Sequence, residues 1–192
     1  MPFANDKRNA LLKLHVLDKS KKGSLDEEIA ELVNLINSLD NYYTTSSCAG
    51  RIMLIKEGKS NSKFDTTWIF ASHKYIGIDD FKENLANLPE ENVWFRMEPP
   101  ILHICAKDLA DAKNMLQLAN SAGFRRAGAI TLGRRIILEI VAPGTLDLLL
   151  STNKELLLSE DYIKTIIVEA NKKLKVSRGR LDRLFVELKK ME

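Results

Sequence analysis

The segment "NVWFRMEPPILHICAK" (residues 92–107) limits the fold more than any other stretch. It holds two runs of period-two alternation, the signature of strands, on either side of Pro99-Pro100. Val93, Phe95 and Met97 share one face of the first run; Trp94, Arg96 and Glu98 share the other. In the second run Ile101, His103 and Cys105 alternate with Leu102, Ile104 and Ala106. A double proline cannot donate to a ladder, so it marks a strand end or an edge.

The rest of the chain surrounds these strands with more strand pairs and with helices. "SLDEEIAELVNLINSLD" (24–40) keeps Leu25, Ile29, Leu32, Val33, Ile36 and Leu39 at helical spacing, and Ser24 with Glu27 fits a capping box. "RIMLIKEG" and "TTWIFASH" read as a hairpin with the long polar loop "KSNSKFD" (59–65). "DDFKENLANLP" is a short helix closed by Pro89. "DLADAKNMLQLANSAGF" is a longer one, capped by Asp108 and stopped by Gly123. A second hairpin turns at "LGRR" (132–135), and two helices over 160–174 and 177–190 finish the chain.

These elements predict an α+β fold: a mixed, largely antiparallel sheet packed with helices. They predict one domain over residues 1–192, with a basic N-terminal segment (1–22), an α/β core (24–150) and basic C-terminal helices (160–190). A Rossmann-type fold is disfavoured, because no GxGxxG or GxxxxGK[ST] follows a predicted strand.

Charge is uneven along the chain. Residues 1–22 carry six Lys and Arg against two acidic residues; residues 23–120 carry nine against fifteen; residues 121–192 carry fourteen against nine. Basic ends suit a polyanionic partner, although Lys-rich helical faces serve solubility equally well. No apolar run approaches the roughly 20 residues that span a bilayer. The charged N-terminus does not read as a secretory signal. Cys48 and Cys105 offer neither a disulfide framework nor a zinc motif. A soluble cytoplasmic protein without a metal is expected.

"TTSSCAGRI" (44–52) raises a choice. Cys48 could be a nucleophile, with a partner among His15, His73 and His103, or a small packed apolar residue. The stretch could instead be an anion cradle. Ala49 and Gly50 let backbone N–H groups come close, Ser46 and Ser47 add hydroxyls, and Arg51 adds a forked cation. An ordinary turn before a strand has the same composition. Trp68 and Trp94, with Arg96 and Glu98 nearby, could stack a base and bond its edge, or form a cross-strand aromatic pair beside a surface ion pair. Glu139 interrupts "RIILEIVA" and reads as a solvent-facing residue of the hairpin.

Taken in order, "TTSSCAGRI", "TTWIFASH" and "FRMEPPILHICAKDLADAKNMLQLANSAGFRRAGAI" resemble the tRNA wybutosine-synthesis methyltransferase family. The resemblance covers roughly residues 24–142 and rests on Ser46, Ser47, Cys48, Gly50 and Arg51; on Trp68, Ser72 and His73; and on Glu98, Pro99, His103 and Arg125. It implies methyl transfer from S-adenosylmethionine to N4 of a tricyclic base next to the anticodon of phenylalanine tRNA, with the anticodon stem-loop rather than DNA or a membrane as partner. Ser46, Ser47, Cys48, Gly50 and Arg51 become expected cofactor contacts. Trp68, Ser72, Trp94, Arg96, Pro99 and Arg125 become expected substrate contacts, and His73, Glu98 and His103 candidate catalytic groups. Methylating a ring nitrogen needs alignment and a proton acceptor but no enzyme nucleophile. Two rivals use the same residues differently: a non-catalytic module that binds the anticodon loop, and a Cys-dependent hydrolase.

Overall fold

A computed structural model of the chain describes residues 2–14, 25–58 and 66–191. In chain order the elements are α1 (Pro2–Lys13), α2 (Glu27–Ser38), β1 (Tyr42–Cys48), β2 (Arg51–Lys56), β3 (Thr67–Ser72), α3 (Asp79–Ala86) and β4 (Val93–Glu98). There follow β5 (Ile101–Ala106), α4 (Leu109–Ala122), β6 (Gly128–Leu132), β7 (Ile136–Val141), β8 (Leu146–Thr152), β9 (Glu155–Leu156) and α5 (Glu160–Lys189). The fold is α+β and every strand pairing is antiparallel, as the alternation and hairpins predict. The strands divide into two sheets rather than one, ordered β1-β5-β7-β6 and β3-β2-β4-β8-β9.

Each sheet belongs to its own compact unit. Unit one comprises residues 1–49, 100–143 and 177–192; unit two comprises 50–99 and 144–176. The double proline falls at one of the passages of the chain, Pro99 following β4 in unit two and Pro100 preceding β5 in unit one. The two alternating runs around it therefore lie in different sheets.

In unit one, Leu102, Ile104 and Ala106 of β5 and Leu138 and Ile140 of β7 face the helices. They pack with the α2 stripe (Ile29, Leu32, Val33, Ile36), with Met115 and Ala119 of α4, and with Leu181, Leu184 and Leu188 of α5. Burying a side chain of this size stabilises by about 1.5–3 kcal/mol. Asp108 caps α4 by accepting from Asp111 N at 2.9 Å, and Gly123 ends it at φ +102°, both as the sequence predicts. The predicted cap of α2, Ser24, lies outside the described residues. Asp26 precedes that helix, and its carboxylate accepts the Ala49 N–H at 2.8 Å. In unit two, Ile52 and Leu54, then Val93, Phe95 and Met97, then Leu150 pack against Phe81 of α3 and Ile163, Ile166, Ile167, Ala170 and Leu174 of α5. β2 and β3 pair as the predicted hairpin; its loop, 59–65, lies outside the described residues.

Two readings are corrected. The helices expected at 160–174 and 177–190 are one helix of 30 residues. Ser177 and Gly179 weaken a helix by at most about 1 kcal/mol each. The buried stripe Leu174, Ser177, Leu181, Leu184 and Leu188 keeps its spacing across them. Of "TTSSCAGRI", open between an anion cradle and a turn, Thr44–Cys48 belong to strand β1, and the turn proper is Ala49-Gly50, with Gly50 at φ +79°. Its hydroxyl-rich sequence hides the strand, yet Thr44 is buried, and Asn37 both accepts its N–H at 2.8 Å and donates to its Oγ1 at 3.0 Å. The hairpin β8–β9 and the helix α1 within the basic N-terminal segment also went unpredicted.

Candidate functional site

The polar motif residues lie mostly on the sheet faces turned away from the apolar cores. In unit one, the register sets Ser46 of β1 opposite His103 of β5, and His103 opposite Glu139 of β7. A shift in the β1–β5 register between Thr44 and Ser46 marks a bulge that sets both Thr45 and Ser46 against His103. Thr45 Oγ1 bonds His103 O at 3.4 Å, and Ser46 Oγ lies 2.6 Å from His103 Nδ1. On the other side of the ring, His103 Nε2 is 3.0 Å from Glu139 Oε2. Hydroxyl, imidazole and carboxylate thus make one continuous row across three strands, with side chains 26% (His103) and 38% (Glu139) exposed. Strand alternation puts Ser47, opposite Leu102, on the other face, and returns Cys48, opposite Ile101, to the face of the row.

Unit two carries charge and aromatic surface instead. Arg51 pairs with Glu98 across β2 and β4, and its Nε and Nη2 donate to Glu98 Oε2 at 3.0 and 2.9 Å. The same guanidinium stands 4.3 Å from the ring centroid of Trp68, which is 47% exposed. That is a cation–π contact on a ring still open to a planar ligand. One step along the sheet, Arg96 Nη2 donates to Asp147 at 2.7 Å while the buried Arg96 Nε has no hydrogen-bond partner. Trp94 Nε1 donates to Glu57 at 3.4 Å. The adjacent Arg96 and Glu98 therefore do not pair with each other; each has a cross-strand partner. His73 Nδ1 is 2.9 Å from Gly50 O, and a carbonyl only accepts, so this nitrogen carries the proton. Ser72 Oγ is held in a local turn by Lys74 N and O at 3.0 and 3.2 Å. Pro99 is buried at the end of β4, and Arg125 is exposed just past α4.

The chain thus places Ser46, Ser47, Cys48, His103 and Arg125 in unit one, and Gly50, Arg51, Trp68, Ser72, His73, Trp94, Arg96, Glu98 and Pro99 in unit two. Glu139, read as a solvent-facing residue, is the third member of the Ser46–His103 row. Its signal was a lone acid in an apolar strand, but its partner is set by the β5–β7 pairing, which α4 and β6 separate in sequence.

Cys105 does not behave as a nucleophile. It is buried, its Sγ donates a long contact to Ala106 O at 3.8 Å, and burial pushes the thiol pKa up. Beside it is a cavity of about 570 Å³ whose lining includes Phe3, Asp6, Tyr43, Arg134 and Arg135 and none of the residues expected to bind cofactor or substrate or to act in catalysis.

An antiparallel α+β chain with these motifs and no nucleotide-binding glycine loop is a methyltransferase of a class outside the doubly wound fold. It belongs to the family described as Methyltransferase TYW3, whose model matches residues 5–190. A curated relative from Methanocaldococcus jannaschii is 36% identical over 95% of both chains. Another, from Pyrococcus furiosus, is 34% identical over 95% of this chain and 92% of its own. Both are named as tRNA(Phe) 7-((3-amino-3-carboxypropyl)-4-demethylwyosine(37)-N(4))-methyltransferases. A Xenopus laevis relative, named tRNA wybutosine-synthesizing protein 3 homolog, is 39% identical over 86% of this chain and 67% of its own. Among solved structures, the PH1069 protein of Pyrococcus horikoshii is similar at TM-score 0.89 and 32% identity, covering 97% of this chain and 95% of that one.

Proposed function

We propose that the protein methylates N4 of the 4-demethylwyosine-type tricyclic base of phenylalanine tRNA, with S-adenosylmethionine as donor and the anticodon stem-loop as binding partner. The observation that carries this reading is the likeness to relatives of that name over nearly the full length of both chains. The site chemistry is compatible. A methyl transfer between bound partners needs alignment, a dry surface and a place for one proton. No described helix is long and apolar enough to cross a membrane, which accords with a cytoplasmic tRNA enzyme.

The residues of unit two fit the donor by their chemistry. An exposed Trp68 ring backed by Arg51 offers a stacking face for a purine. Glu98 offers a carboxylate to a cation, and the orphaned Arg96 Nε offers a buried donor with no partner of its own. When bound, the donor supplies an electrophilic methyl on a positively charged sulfur. Trp68, Arg51 and Glu98 would hold and orient it, and Trp94, Ser72, Pro99 and Arg125 would bear on the tRNA. Anticodon-loop bases are open to stacking without melting a duplex.

The test is incubation of the protein with methyl-labelled S-adenosylmethionine and tRNA from a strain lacking the final methylation step. Label in the tricyclic base is the expected result. Salt-dependent tRNA binding without label would instead make the protein a binding module.

A further inference from the structure

The methyl-transfer reading leaves one chemical need unassigned: a ring nitrogen that gains a methyl and ends neutral must lose a proton. Three candidates were legible in the sequence, His73, Glu98 and His103. His73 donates through Nδ1 to Gly50 O, which makes Nε2 its accepting nitrogen, and Glu98 takes two N–H groups of Arg51. His103 differs, because its two ring nitrogens are bracketed by groups of opposite hydrogen-bond character.

A carboxylate only accepts, so the Nε2 facing Glu139 carries the ring proton. In a neutral imidazole the other nitrogen, Nδ1, is then an acceptor, and the Ser46 hydroxyl 2.6 Å away is its donor. Ser46 is exposed, and in this orientation its hydroxyl proton is committed to the imidazole. Both nitrogens of His103 are engaged, so the ring reaches a substrate only through that hydroxyl.

We propose, resting on the methyl-transfer reading, that Ser46, His103 and Glu139 form the proton path of the reaction. Ser46 is the group that touches the acceptor nitrogen, and Glu139 is a positioning residue that acts through His103. As the acceptor nitrogen bonds the methyl carbon and the donor's sulfur–carbon bond breaks, the N–H proton passes to Ser46 Oγ. The proton of Ser46 passes at the same time to His103 Nδ1. The resulting imidazolium is balanced by the Glu139 carboxylate at 3.0 Å, and proton loss to water resets the row. Partly exposed ion pairs contribute little to folding, so variants of this row remain folded and their kinetics report on the chemistry.

The experiment measures methylation of hypomodified tRNA by the intact chain and by Ser46→Ala, Ser46→Thr and Glu139→Gln. Gln keeps an acceptor for Nε2–H but removes the charge. For Ser46→Ala and Glu139→Gln, kcat falls about 100-fold or more while KM for tRNA stays within a few-fold. Ser46→Thr retains most of kcat because it keeps the hydroxyl. Nitrogen-15 NMR of the free protein finds the His103 proton on Nε2. Wild-type kcat in Ser46→Ala, or the ring proton on Nδ1, overturns the proton path and leaves the methyltransferase reading standing. A wild-type chain that labels no tRNA overturns the reading itself.

Discussion

The two units solve the same architectural problem and end with opposite surfaces. Each covers one face of an antiparallel sheet with helices and uses the other for polar motif residues. In unit one that face carries groups that can exchange a proton, Ser46, His103 and Glu139. In unit two it carries a fixed guanidinium–carboxylate pair and an aromatic ring, Arg51, Glu98 and Trp68. In the proposed reaction the first set moves charge and the second holds it. On the proposed reading that contrast divides the motif residues by role: substitutions in unit one are expected to act on rate, and substitutions in unit two on binding.

The largest effect comes from the core that supports the charged face. Phe95 is 1% exposed and meets Phe81 edge-on, with ring centroids 5.9 Å apart. Phe95→Ala leaves a cavity there and costs about 3–5 kcal/mol. Both tryptophans, Trp68 and Trp94, lie in unit two, so urea unfolding followed by tryptophan fluorescence reads that loss directly. A loss under about 1 kcal/mol, well below that range, would break the picture of a second well-packed core.

Next comes the division of roles itself. Arg51→Ala removes two hydrogen bonds to Glu98 and the support under Trp68. A lost charged contact costs roughly 1.5–3 kcal/mol, or about ten- to hundredfold in affinity. The expected outcome is a higher KM for donor or tRNA with kcat little changed, the reverse of Glu139→Gln. Equal losses of kcat in both variants would erase the contrast between the units.

How far this contrast was legible in sequence differs between the units. The charged face could be anticipated because β4 alternates cleanly, so Trp94, Arg96 and Glu98 were separated from Val93, Phe95 and Met97 by period alone. The proton-moving face could not. Four consecutive hydroxyl residues, Thr44–Ser47, look like a turn because their strand character depends on pairing with β5 and on Asn37 satisfying Thr44. Glu139 looked like a solvated residue because the pairing of β7 with β5 is non-local. The single α5 was missed for a related reason: residues 175–176 were left between two expected helices, whereas packing makes Ser177 one more buried position of a continuous stripe.

A third, smaller effect is set by pH and belongs to unit one. Burial raises the pKa of Cys105 above the ordinary thiol value of 9.0 and raises that of Tyr43. Folding favours the neutral forms, so their contribution is fully present below pH 9 and is lost as pH rises through the folded-state values. Stability measured between pH 8 and pH 11 should fall more steeply for the wild type than for Cys105→Ala, and equal slopes would show that the thiol is not held neutral.

The smallest effect concerns α1, which has no fully buried residue of its own. It is attached by Phe3 against Tyr43 at 5.2 Å between ring centroids, by Lys7 to Leu39 O, and by Asp6, which accepts from Arg135 Nε at 2.9 Å. Hydrogen bonding to Arg135 holds the Asp6 carboxyl below its ordinary value of 3.8. The anchor is therefore complete above that value and is lost as pH falls through the lower folded-state pKa. An ion pair whose arginines remain exposed steadies one helix without deciding global stability. Asp6→Asn should raise amide hydrogen exchange within Pro2–Lys13 and leave exchange in β5 and β7 unchanged. Methylation should be unaffected too, because neither Asp6 nor its arginine partners belong to the Ser46–His103–Glu139 row. A fall in kcat for Asp6→Asn would mean that the face of unit one extends under α1, and the division between its two ends would have to be redrawn.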